Sequence, residues 1–411
     1  MTANLDNTVN CGTIWVINYF AGSPLSGWGE RHFYLSRRWI EKGYRVTIVS
    51  STFNHMFSSY ARADRQYNFE EIEGRRFCWV KTPRYDPRSV KRFWAMMVFA
   101  LKAYFVPASD AGRPDIIIVS SMPIFSVITG WLLKKRYKAG KFIFEIRDLW
   151  PLTPIHLMGY KRHHPMIMFI SWIERIGYRK ADHIVSVLPN AAAYINSISG
   201  DPGKFNYIPN GISEEMVGSD MLPQDILELI PPDKFLIGYA GTIGLANALE
   251  YFTKAAVLLK DYQDIHFVLV GDGYLKDSLT NDAEGLKNIT FIPKVRKSYM
   301  QSLISHFDIC FIGRNNTPLF DHGVSSNKYF DYMLASKPVL VSSNRIKDPV
   351  EMSDCGIIVD PESAEAIVDG ILKLSGMTPE ERRAMGERGR AYVLRHHNYT
   401  FLSEEYEKLF A

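Results

Sequence analysis

The feature that most limits how this chain can fold is a repeated alternation between short runs rich in β-branched residues and longer segments of helical composition. The first run, GTIWVINYF, is followed by GERHFYLSRRWIEKGY, which has apolar residues at Phe33, Leu35, Trp39 and Ile40 and ends at Gly43. The run RVTIVSS comes next. A strand, a helix and a second strand in this order form a βαβ unit, whose strands lie parallel. We therefore predict an α/β chain built on parallel sheets.

The alternation occurs in both halves of the 411-residue chain, which is longer than one hydrophobic core usually supports. We predict two facing Rossmann-like, doubly wound domains, residues 1–211 and 212–394, with a C-terminal helix at 395–411 that completes the first. Ligands of such domains bind where the carboxyl ends of the strands meet. The strand-like runs lie at 115–121, 141–148, 183–189 and 205–211, and then at 235–244, 265–273, 289–295, 308–313, 337–343 and 356–360.

Composition argues against several classes of protein. A 46% hydrophobic and 22% charged chain is typical of a soluble globular protein, and a net charge of +4 predicts no nucleic-acid partner. The four cysteines are far apart and form no C-x-x-C pair, which argues against zinc and disulfides and favours a reducing cytoplasm. We expect no signal peptide, and no uncharged apolar run reaches the roughly 18 residues that span a bilayer.

Two segments place glycine-rich backbone between a strand and a helix: YFAGSPLSGWGERHF (19–33) and GYAGTIGLANAL (238–249). Free amides at a helix N-terminus bind anions, and glycine lets a phosphate approach the main chain. Neither segment is a Walker A sequence or a complete G-x-G-x-x-G fingerprint. Each is therefore open to two interpretations, a phosphate contact or a plain turn.

The segment FDHGVSSNKYFDYMLASKPVLV (320–341) predicts a turn, a helix from Asn327 and a strand at 337–341. Lys328 then lies in the first helical turn, where the helix dipole disfavours a cation unless an anion is bound. Asp331 lies on the same helical face and can accept hydrogen bonds from the hydroxyls of a ribose. A nucleotide would satisfy both residues, and the alternative is an ordinary surface ion pair between them.

In their order and spacing these motifs resemble the retaining glycosyltransferases of the GT-B fold known as family four, in particular the bacterial branch that builds O-antigen and capsule repeat units. The resemblance covers nearly the whole chain. It implies two facing domains and transfer of a sugar from a nucleotide donor, UDP above all, to a lipid-linked saccharide with retention. The matching segments are GSPLSGWGERHFYLSRRWIEKGYRVTIVSS, EIRDLWP, YIPNGI, GYAGTIG, LVGDG, ITFIPKV and GVSSNKYFDYMLASKPVLV.

The resemblance also implies roles for individual residues. Gly27 would bring backbone close to the diphosphate or the sugar. Val295 would frame the base through its main chain, and Asp331 would hold the ribose. The other implied donor-binding residues are Gly241, Thr242, Gly244, Ser325, Ser326, Asn327 and Lys328.

The chain departs from the family pattern at its acidic pair. The family has two glutamates separated by seven residues, and here these positions are Gly323 and Asp331. The usual acidic contact to the donor sugar is therefore missing. The identity of the sugar stays open for that reason.

A second departure concerns the cations. The arginine and lysine that the family carries after the first strand of its C-terminal domain correspond to the uncharged Thr242 and Asn247. A departing nucleoside diphosphate develops negative charge that fixed cations stabilise. We predict that Arg314, just after the run DICFIG, and Lys328 supply that charge.

Asp148, in FEIRDLWP, falls near the reacting centre in this resemblance. It would contact the donor sugar or the incoming hydroxyl, and it is a candidate for the base. Alternatively, Arg147 and Asp148 cap the next segment, and Glu145 is a weaker candidate for the acid. No Asp-x-Asp triplet occurs, so we predict that the reaction needs no metal and no other cofactor.

The segments 88–107 and 160–180 combine aromatic, aliphatic and basic residues, with Arg88 and Lys102 flanking the first apolar run. Helices of this kind lie in an anionic membrane interface. We predict peripheral association with the cytoplasmic face of the inner membrane and a polyprenyl-diphosphate-linked acceptor. The alternative is that Trp94 and its apolar neighbours pack in the core of the first domain.

Two other functions fit the same fold. One is an enzyme like UDP-N-acetylglucosamine 2-epimerase, which acts on a nucleotide sugar without a lipid acceptor. The other is a non-catalytic protein that binds a nucleotide sugar but has lost activity with the first family glutamate. The basic aromatic segment at 88–107 disfavours the epimerase.

Overall fold

The structure, a computed structural model, describes residues 11–87, 89–213, 220–344 and 348–411. The chain divides into two compact units, unit 1 with residues 11–209 and Tyr399–Ala411, and unit 2 with Asn210–Asn398. Arg88, which the sequence assigns to the membrane segment, lies outside the described residues. A largely parallel sheet covered by helices forms each unit, which confirms the predicted α/β class.

Unit 1 contains an eight-stranded sheet in the order β3-β4-β2-β1-β5-β6-β7-β8. All neighbouring strands are parallel except β3 and β4. The central strands β1 and β5 are buried along all or nearly all of their length, as expected of strands covered by helices on both faces. The strands are β1 Gly12–Ile17, β2 Tyr44–Ser51, β3 Tyr67–Ile72, β4 Arg75–Val80, β5 Ile116–Ser120, β6 Lys141–Ile146, β7 His183–Ser186 and β8 Phe205–Tyr207.

The hairpin of β3 and β4 is absent from the sequence prediction. Its turn is Glu73-Gly74, and both residues have positive φ, 47° and 76°. A two-residue turn of this kind joins antiparallel strands. Strand β3 carries the exposed Glu70 and Glu71 at the edge of the sheet, so it lacks the apolar run by which the other strands are recognised.

The helices of unit 1 cover both faces of its sheet. Helix α1 buries seven residues, including Phe33, Leu35 and Trp39, and α2 and α6 both pack against α4. These helices are α1 Arg31–Glu41, α2 Lys91–Ala103, α3 Ala108–Ala111, α4 Ser126–Tyr137, α5 Leu152–Met158, α6 Pro165–Lys180 and α7 Ala192–Ser199.

Unit 2 contains a six-stranded parallel sheet in the order β11-β10-β9-β12-β13-β14, the order of a Rossmann domain. Separate apolar clusters fill its two faces. The strands are β9 Phe235–Ala240, β10 Ile265–Val270, β11 Ile289–Ile292, β12 Ile309–Gly313, β13 Val339–Ser342 and β14 Gly356–Val359. The helices are α8 Gln224–Leu227, α9 Leu249–Leu258, α10 Lys276–Asp282, α11 Met300–Ser305, α12 Asn327–Leu334, α13 Pro349–Ser353, α14 Ala364–Ser375 and α15 Pro379–His396.

The last helix, α16 Tyr399–Glu407, belongs to unit 1. It packs against α1, where Tyr399 stacks on Tyr34 at 5.5 Å between ring centroids and Tyr406 meets Trp39 edge to face. The chain therefore passes between the units twice, after Pro209 and after Asn398.

A crevice opens in the sheet of unit 2 where the strand order reverses, between β9 and β12. These strands pair only at Ile237 with Ile309 and Gly238 with Cys310. Beyond that point the hydroxyl of Tyr332 accepts from the Ala240 amide at 2.9 Å. Ligands of open α/β sheets bind at such a reversal, at the carboxyl ends of the strands.

Candidate functional site

Glycines bring the loops after β9 and β10 into backbone contact at the carboxyl edge of unit 2. A Cβ on Gly271 would lie 1.9 Å from the carbonyl oxygen of Gly241, and a Cβ on Gly273 would lie 2.1 Å from that of Ile243. All three glycines have φ between 150° and 157°. The chain can therefore make this loop pair only with glycine at these positions.

Lys328 projects from the start of α12 onto the loop after β9. The helix begins at Asn327, as predicted, and Nζ of Lys328 donates to Oδ1 of Asn247 at 3.0 Å. A Cβ on Gly241 would lie 2.4 Å from Cε of Lys328, so this glycine also makes room for the lysine. Asn247 in turn donates to the carbonyl oxygen of the exposed Thr242 at 2.9 Å.

The charge of Lys328 is poorly compensated. Burial and the nearby Arg314 together lower its pKa to about 8, and Asp331 opposes both effects. No ion pair joins Lys328 to Asp331 in the parts of the chain that are described, so the surface-pair alternative does not hold. A partly buried cation in this setting is a candidate for binding an anion.

Arg314 follows β12 and is only 7% exposed. Its guanidinium carbon lies 5.2 Å from the centroid of Tyr329 and 5.7 Å from that of Phe320. Its Nη2 is buried and has no hydrogen-bond partner among the described residues. Because buried charges are normally paired, this guanidinium is suited to an anionic ligand.

The small cavity beside Arg314 is also lined by Gly323, Tyr329 and Asp348. The hydroxyl of Tyr329 donates to Oδ2 of Asp348, and Oδ1 of Asp348 accepts from the Val350 amide at 2.9 Å. Both oxygens of this acid are therefore engaged elsewhere, although its charge lies near Arg314.

Asp331 and Val295 lie toward the opposite edge of the sheet. Burial raises the pKa of Asp331, while Lys297 and Lys328 lower it. Val295 follows β11, is half-buried and packs against the core. Along the carboxyl edge of the sheet, Val295 follows β11 and Arg314 follows β12. Lys328 lies between them, because its ammonium contacts the loop after β9.

The other predicted donor-binding residues of unit 2 have different surroundings. Ser326 is the N-cap of α12 without a side-chain cap, and Asn327 is exposed. Ser325 is engaged by Asn210, whose amide donates to its Oγ at 3.0 Å and whose Nδ2 donates to its carbonyl oxygen at 2.8 Å. Gly244 is buried at the start of a short turn.

Gly27 and Asp148 lie in unit 1. Gly27 has a φ of 70°, and a Cβ there would lie 2.1 Å from Oγ of Ser58, so local packing alone requires glycine. Asp148 follows β6 and is exposed. The N-cap of α5 is Pro151, with no side-chain hydrogen bond, so Asp148 does not cap that helix. The site roles of both residues stay predictions.

Glu145 is the centre of a buried cluster that the sequence does not predict. It is 0% exposed, and Oε2 accepts from Nε of Arg31 at 2.9 Å and from the Tyr406 hydroxyl. Oε1 accepts from Oγ of Ser120 at 2.7 Å and lies 3.1 Å from Nε2 of His32. Burial favours the neutral acid, but Arg31 and His32 hold the pKa of Glu145 well below its usual range. This carboxylate is occupied and cannot act as the catalytic acid.

Arg31 also fixes the end of unit 1. Its guanidinium donates to the carbonyl oxygen of Ile208 at 2.8 Å and to that of Pro209. These contacts are made across 177 and 178 residues of sequence. The one local signal is the pair of polar residues Arg31-His32 at the start of a helix whose buried face is otherwise mostly apolar.

The described residues contain no group of three His, Cys, Asp or Glu side chains placed to hold a metal ion. The part of the chain that the structure describes also contains no helix with the length and apolarity needed to cross a bilayer.

Two families of known proteins match this chain, one in each compact unit. Residues 26–211 match the family described as "Glycosyl transferase 4-like domain". Residues 234–376 match "Glycosyl transferases group 1". The two matches follow each other along the chain, and together they leave only short segments unmatched.

Among curated proteins, the chain is similar to the putative colanic acid biosynthesis glycosyl transferase WcaI of Escherichia coli K12. The two are 23% identical over 378 residues, which is 87% of this chain and 90% of that protein.

Solved structures of glycosyltransferases superpose on nearly the whole chain. Sucrose-phosphate synthase from Thermosynechococcus elongatus gives a TM-score of 0.73 at 17% identity, covering 97% of this chain and 98% of its own. WaaG, a glycosyltransferase involved in lipopolysaccharide biosynthesis, gives a TM-score of 0.67 at 14% identity, and the match covers 97% of this chain and 99% of WaaG. Anabaena HepE in complex with UDP and glucose gives a TM-score of 0.67 at 11% identity, and the match covers 97% of this chain and 98% of HepE. These likenesses confirm the predicted GT-B fold.

Proposed function

We propose that this chain, a glycosyltransferase of the GT-B fold, moves a hexose or N-acetylhexosamine from a UDP-sugar onto a polyprenyl-diphosphate-linked saccharide, with retention at the anomeric carbon. The product is a repeat unit of a cell-surface polysaccharide such as O-antigen, capsule or lipopolysaccharide. The names of the relatives in colanic acid and lipopolysaccharide biosynthesis support this assignment. So do the HepE structures with UDP or UDP-glucose bound.

The observation that carries the proposal is the contact between Lys328 and Asn247. Position 247 is where the family pattern has a lysine, and in this chain the ammonium of Lys328 reaches the same place from α12. The ammonium of Lys328, which belongs to α12, thus lies where the family pattern has the lysine of position 247. Arg314 adds a second cation, a guanidinium just after the neighbouring strand β12.

In the proposed reaction the bond between the anomeric carbon and the β-phosphate oxygen breaks, and a bond to the acceptor oxygen forms on the same face of the sugar. The acceptor proton passes to the departing phosphate oxygen. Lys328 and Arg314 hold the charge that develops on the diphosphate. Asp331 holds the ribose and Val295 the base, while Asp148 of unit 1 orients the incoming hydroxyl.

A thermal-shift screen of UDP-, GDP- and ADP-sugars tests the donor. A UDP-sugar at about 100 times its dissociation constant is expected to stabilise the protein by about 2.7 kcal/mol. The same preparation is then assayed for sugar transfer to a polyprenyl-diphosphate-linked saccharide. Stabilisation without transfer would favour the binding protein, and an epimerised sugar released without acceptor would favour the epimerase.

Transfer is expected to continue in excess chelator. Helix N-termini and basic side chains stabilise a diphosphate without an ion, and this site has Lys328, Arg314 and the start of α12 for that purpose. The rate is measured with EDTA and then with added Mg²⁺ or Mn²⁺. Loss of activity in EDTA that either ion restores would contradict the site proposed here.

The efficiency of donor use is expected to fall as the pH rises through about 8, because the pKa of Lys328 is lowered to about 8. Lys328 is charged below that pH and neutral above it, so kcat/KM for the donor decreases up to about tenfold per pH unit on the alkaline side. The control is Lys328→Arg, whose guanidinium stays charged. An unchanged alkaline limb in this variant would assign the titration to another group.

The membrane face is formed by exposed apolar side chains on two helices that both pack on α4. Trp94, Met97 and Leu101 form a stripe along α2, with exposures of 60%, 42% and 66%. Phe169 and Trp172 of α6 are 45% and 53% exposed. The alternative that the α2 residues pack in the core is therefore wrong.

Exposed basic residues lie on the two helices α4 and α6. Exposed Lys135 and Arg136 lie at the end of α4, and Arg175, Arg179 and Lys180 lie on α6. Exposed aromatic residues bordered by cations are the chemistry of an anionic bilayer surface. We propose that the face binds the cytoplasmic leaflet, where a polyprenyl acceptor resides.

Replacing Trp94, Leu101 and Trp172 together by serine is expected to weaken binding to anionic vesicles about 100-fold. Each side chain loses partial burial worth about 1 kcal/mol, and about 1.4 kcal/mol corresponds to tenfold. Co-sedimentation with vesicles measures the effect. The matched control is Leu258→Ser with Tyr262→Ser, two exposed residues of unit 2. Equal vesicle binding by both variants would show that this face does not bind the membrane.

A further inference from the structure

An aromatic cluster lies at the carboxyl edge of unit 1, in the loops that follow β2 and β4. Phe53 contacts Tyr60 and Tyr85, with ring centroids 5.0 and 5.3 Å apart. His55 lies 5.8 Å from Tyr85, and its Nδ1 is 3.1 Å from the Tyr85 hydroxyl. Tyr60 is 46% exposed, so one ring of the cluster is open to a ligand.

Two arginines border this cluster. The guanidinium carbon of Arg84 lies 5.7 Å from the centroid of Phe53 and 5.6 Å from that of Tyr60. Arg92, in the first turn of α2, is close enough to His55 to lower its pKa, which burial and this charge bring to about 4. Neither arginine forms an ion pair with any residue that the structure describes. Two uncompensated guanidinium groups thus border one aromatic surface.

A buried donor lies beside the same turn of α2. Trp150 is 9% exposed, and its Nε1 has no hydrogen-bond partner among the described residues. Its ring contacts Phe93, the neighbour of Arg92, at 6.2 Å. Trp150 is also two residues beyond Asp148, so this donor and the proposed reaction centre share one loop.

We propose that Arg84, Arg92 and the aromatic cluster bind the diphosphate and first sugar of the lipid-linked acceptor. Guanidinium groups match phosphate oxygens in geometry and charge. The aromatic ring of Tyr60 packs against the apolar face of a pyranose, and Nε1 of Trp150 donates to an oxygen of the same ligand. This inference rests on the function proposed above and adds to it the subsite that recognises the acceptor.

The direction of α2 supports the assignment of the lipid. Arg92 lies in the first turn of the helix, and Trp94, Met97 and Leu101 follow along its exposed side. At 1.5 Å per residue, the stripe extends about 14 Å from the arginine. A diphosphate held at Arg92 therefore places its polyprenyl chain along the membrane face.

The test uses the full chain and farnesyl diphosphate as a probe, with farnesol and UDP as comparison ligands. Binding is measured by calorimetry for the wild type, Arg84→Gln, Arg92→Gln and the double variant. We expect farnesyl diphosphate to bind about tenfold more weakly to each single variant, as for loss of one charge-assisted hydrogen bond. The double variant should lose about 100-fold, while UDP and farnesol binding stay unchanged.

Arg45→Gln is the matched control, because Arg45 is exposed at the opposite, amino end of β2 in the same sheet. It is expected to bind all three ligands like the wild type. The inference is overturned if the wild type does not bind farnesyl diphosphate, if the double variant binds it normally, or if UDP displaces it. Absence of UDP-sugar binding, with the diphosphate result intact, would instead overturn the donor part of the proposed function.

Discussion

Replacing Lys328 by alanine is expected to lower turnover about 100- to 1,000-fold, the loss seen when one fixed group that stabilises developing charge is removed. The ammonium is held over the loop after β9 by Asn247, so it meets the diphosphate without first having to be oriented. The loss should appear mainly in kcat, because charge accumulates on the diphosphate only as the sugar leaves.

The measurement is steady-state transfer with the donor varied, together with a thermal melt of each variant. Lys260→Ala, an exposed lysine just beyond α9, is the control and should keep full activity. Arg314→Ala is expected to act in the same direction as Lys328→Ala, with Arg314→Lys recovering part of the loss. If Lys328→Ala and Arg314→Ala each kept turnover within a few fold of the wild type, these residues would not hold the leaving group.

The fold could be predicted from the sequence because its signal is local and repeated. Every run that is assigned to a strand in unit 2 contains one, since strands in a sheet that is covered by helices are apolar along most of their length. The β3 and β4 hairpin was missed for the opposite reason. Its edge strand alternates polar and apolar residues, and only the Glu73-Gly74 turn marks it.

The candidate site could be predicted only in part. The helix dipole draws attention to Lys328 from sequence alone, but its partner Asn247 lies 81 residues away. Nothing in the sequence distinguishes Gly27, which local packing requires, from a glycine that a ligand requires. The cluster around Glu145 was missed because its partners come from the start of α1 and from the last helix. Such contacts depend on tertiary structure and have no local pattern.

Replacing Arg31 by methionine is expected to destabilise unit 1 by about 3–5 kcal/mol, because it leaves the buried Glu145 without its main counter-charge. The variant also removes the donors to the carbonyl oxygens of Ile208 and Pro209. Adding Glu145→Gln should recover part of the loss, since the remaining side chain is neutral. Thermal and urea unfolding of the single and double variants measure both effects.

The pH dependence of this effect has a definite sign. The folded-state pKa of Glu145 is held well below its usual range, so the ion pair stabilises the fold above the unfolded-state pKa of about 4.3. Its contribution disappears as the pH falls through the lower, folded-state value. The difference in the free energy of unfolding between the wild type and Arg31→Met should therefore be largest at neutral pH and decrease only in acid. Arg37→Met is the control, because Arg37 pairs with Glu41 at 3.1 Å on an exposed surface. This substitution should lower the free energy of unfolding by less than about 1 kcal/mol. Equal costs for the two variants would mean that Arg31 does not fix the end of unit 1.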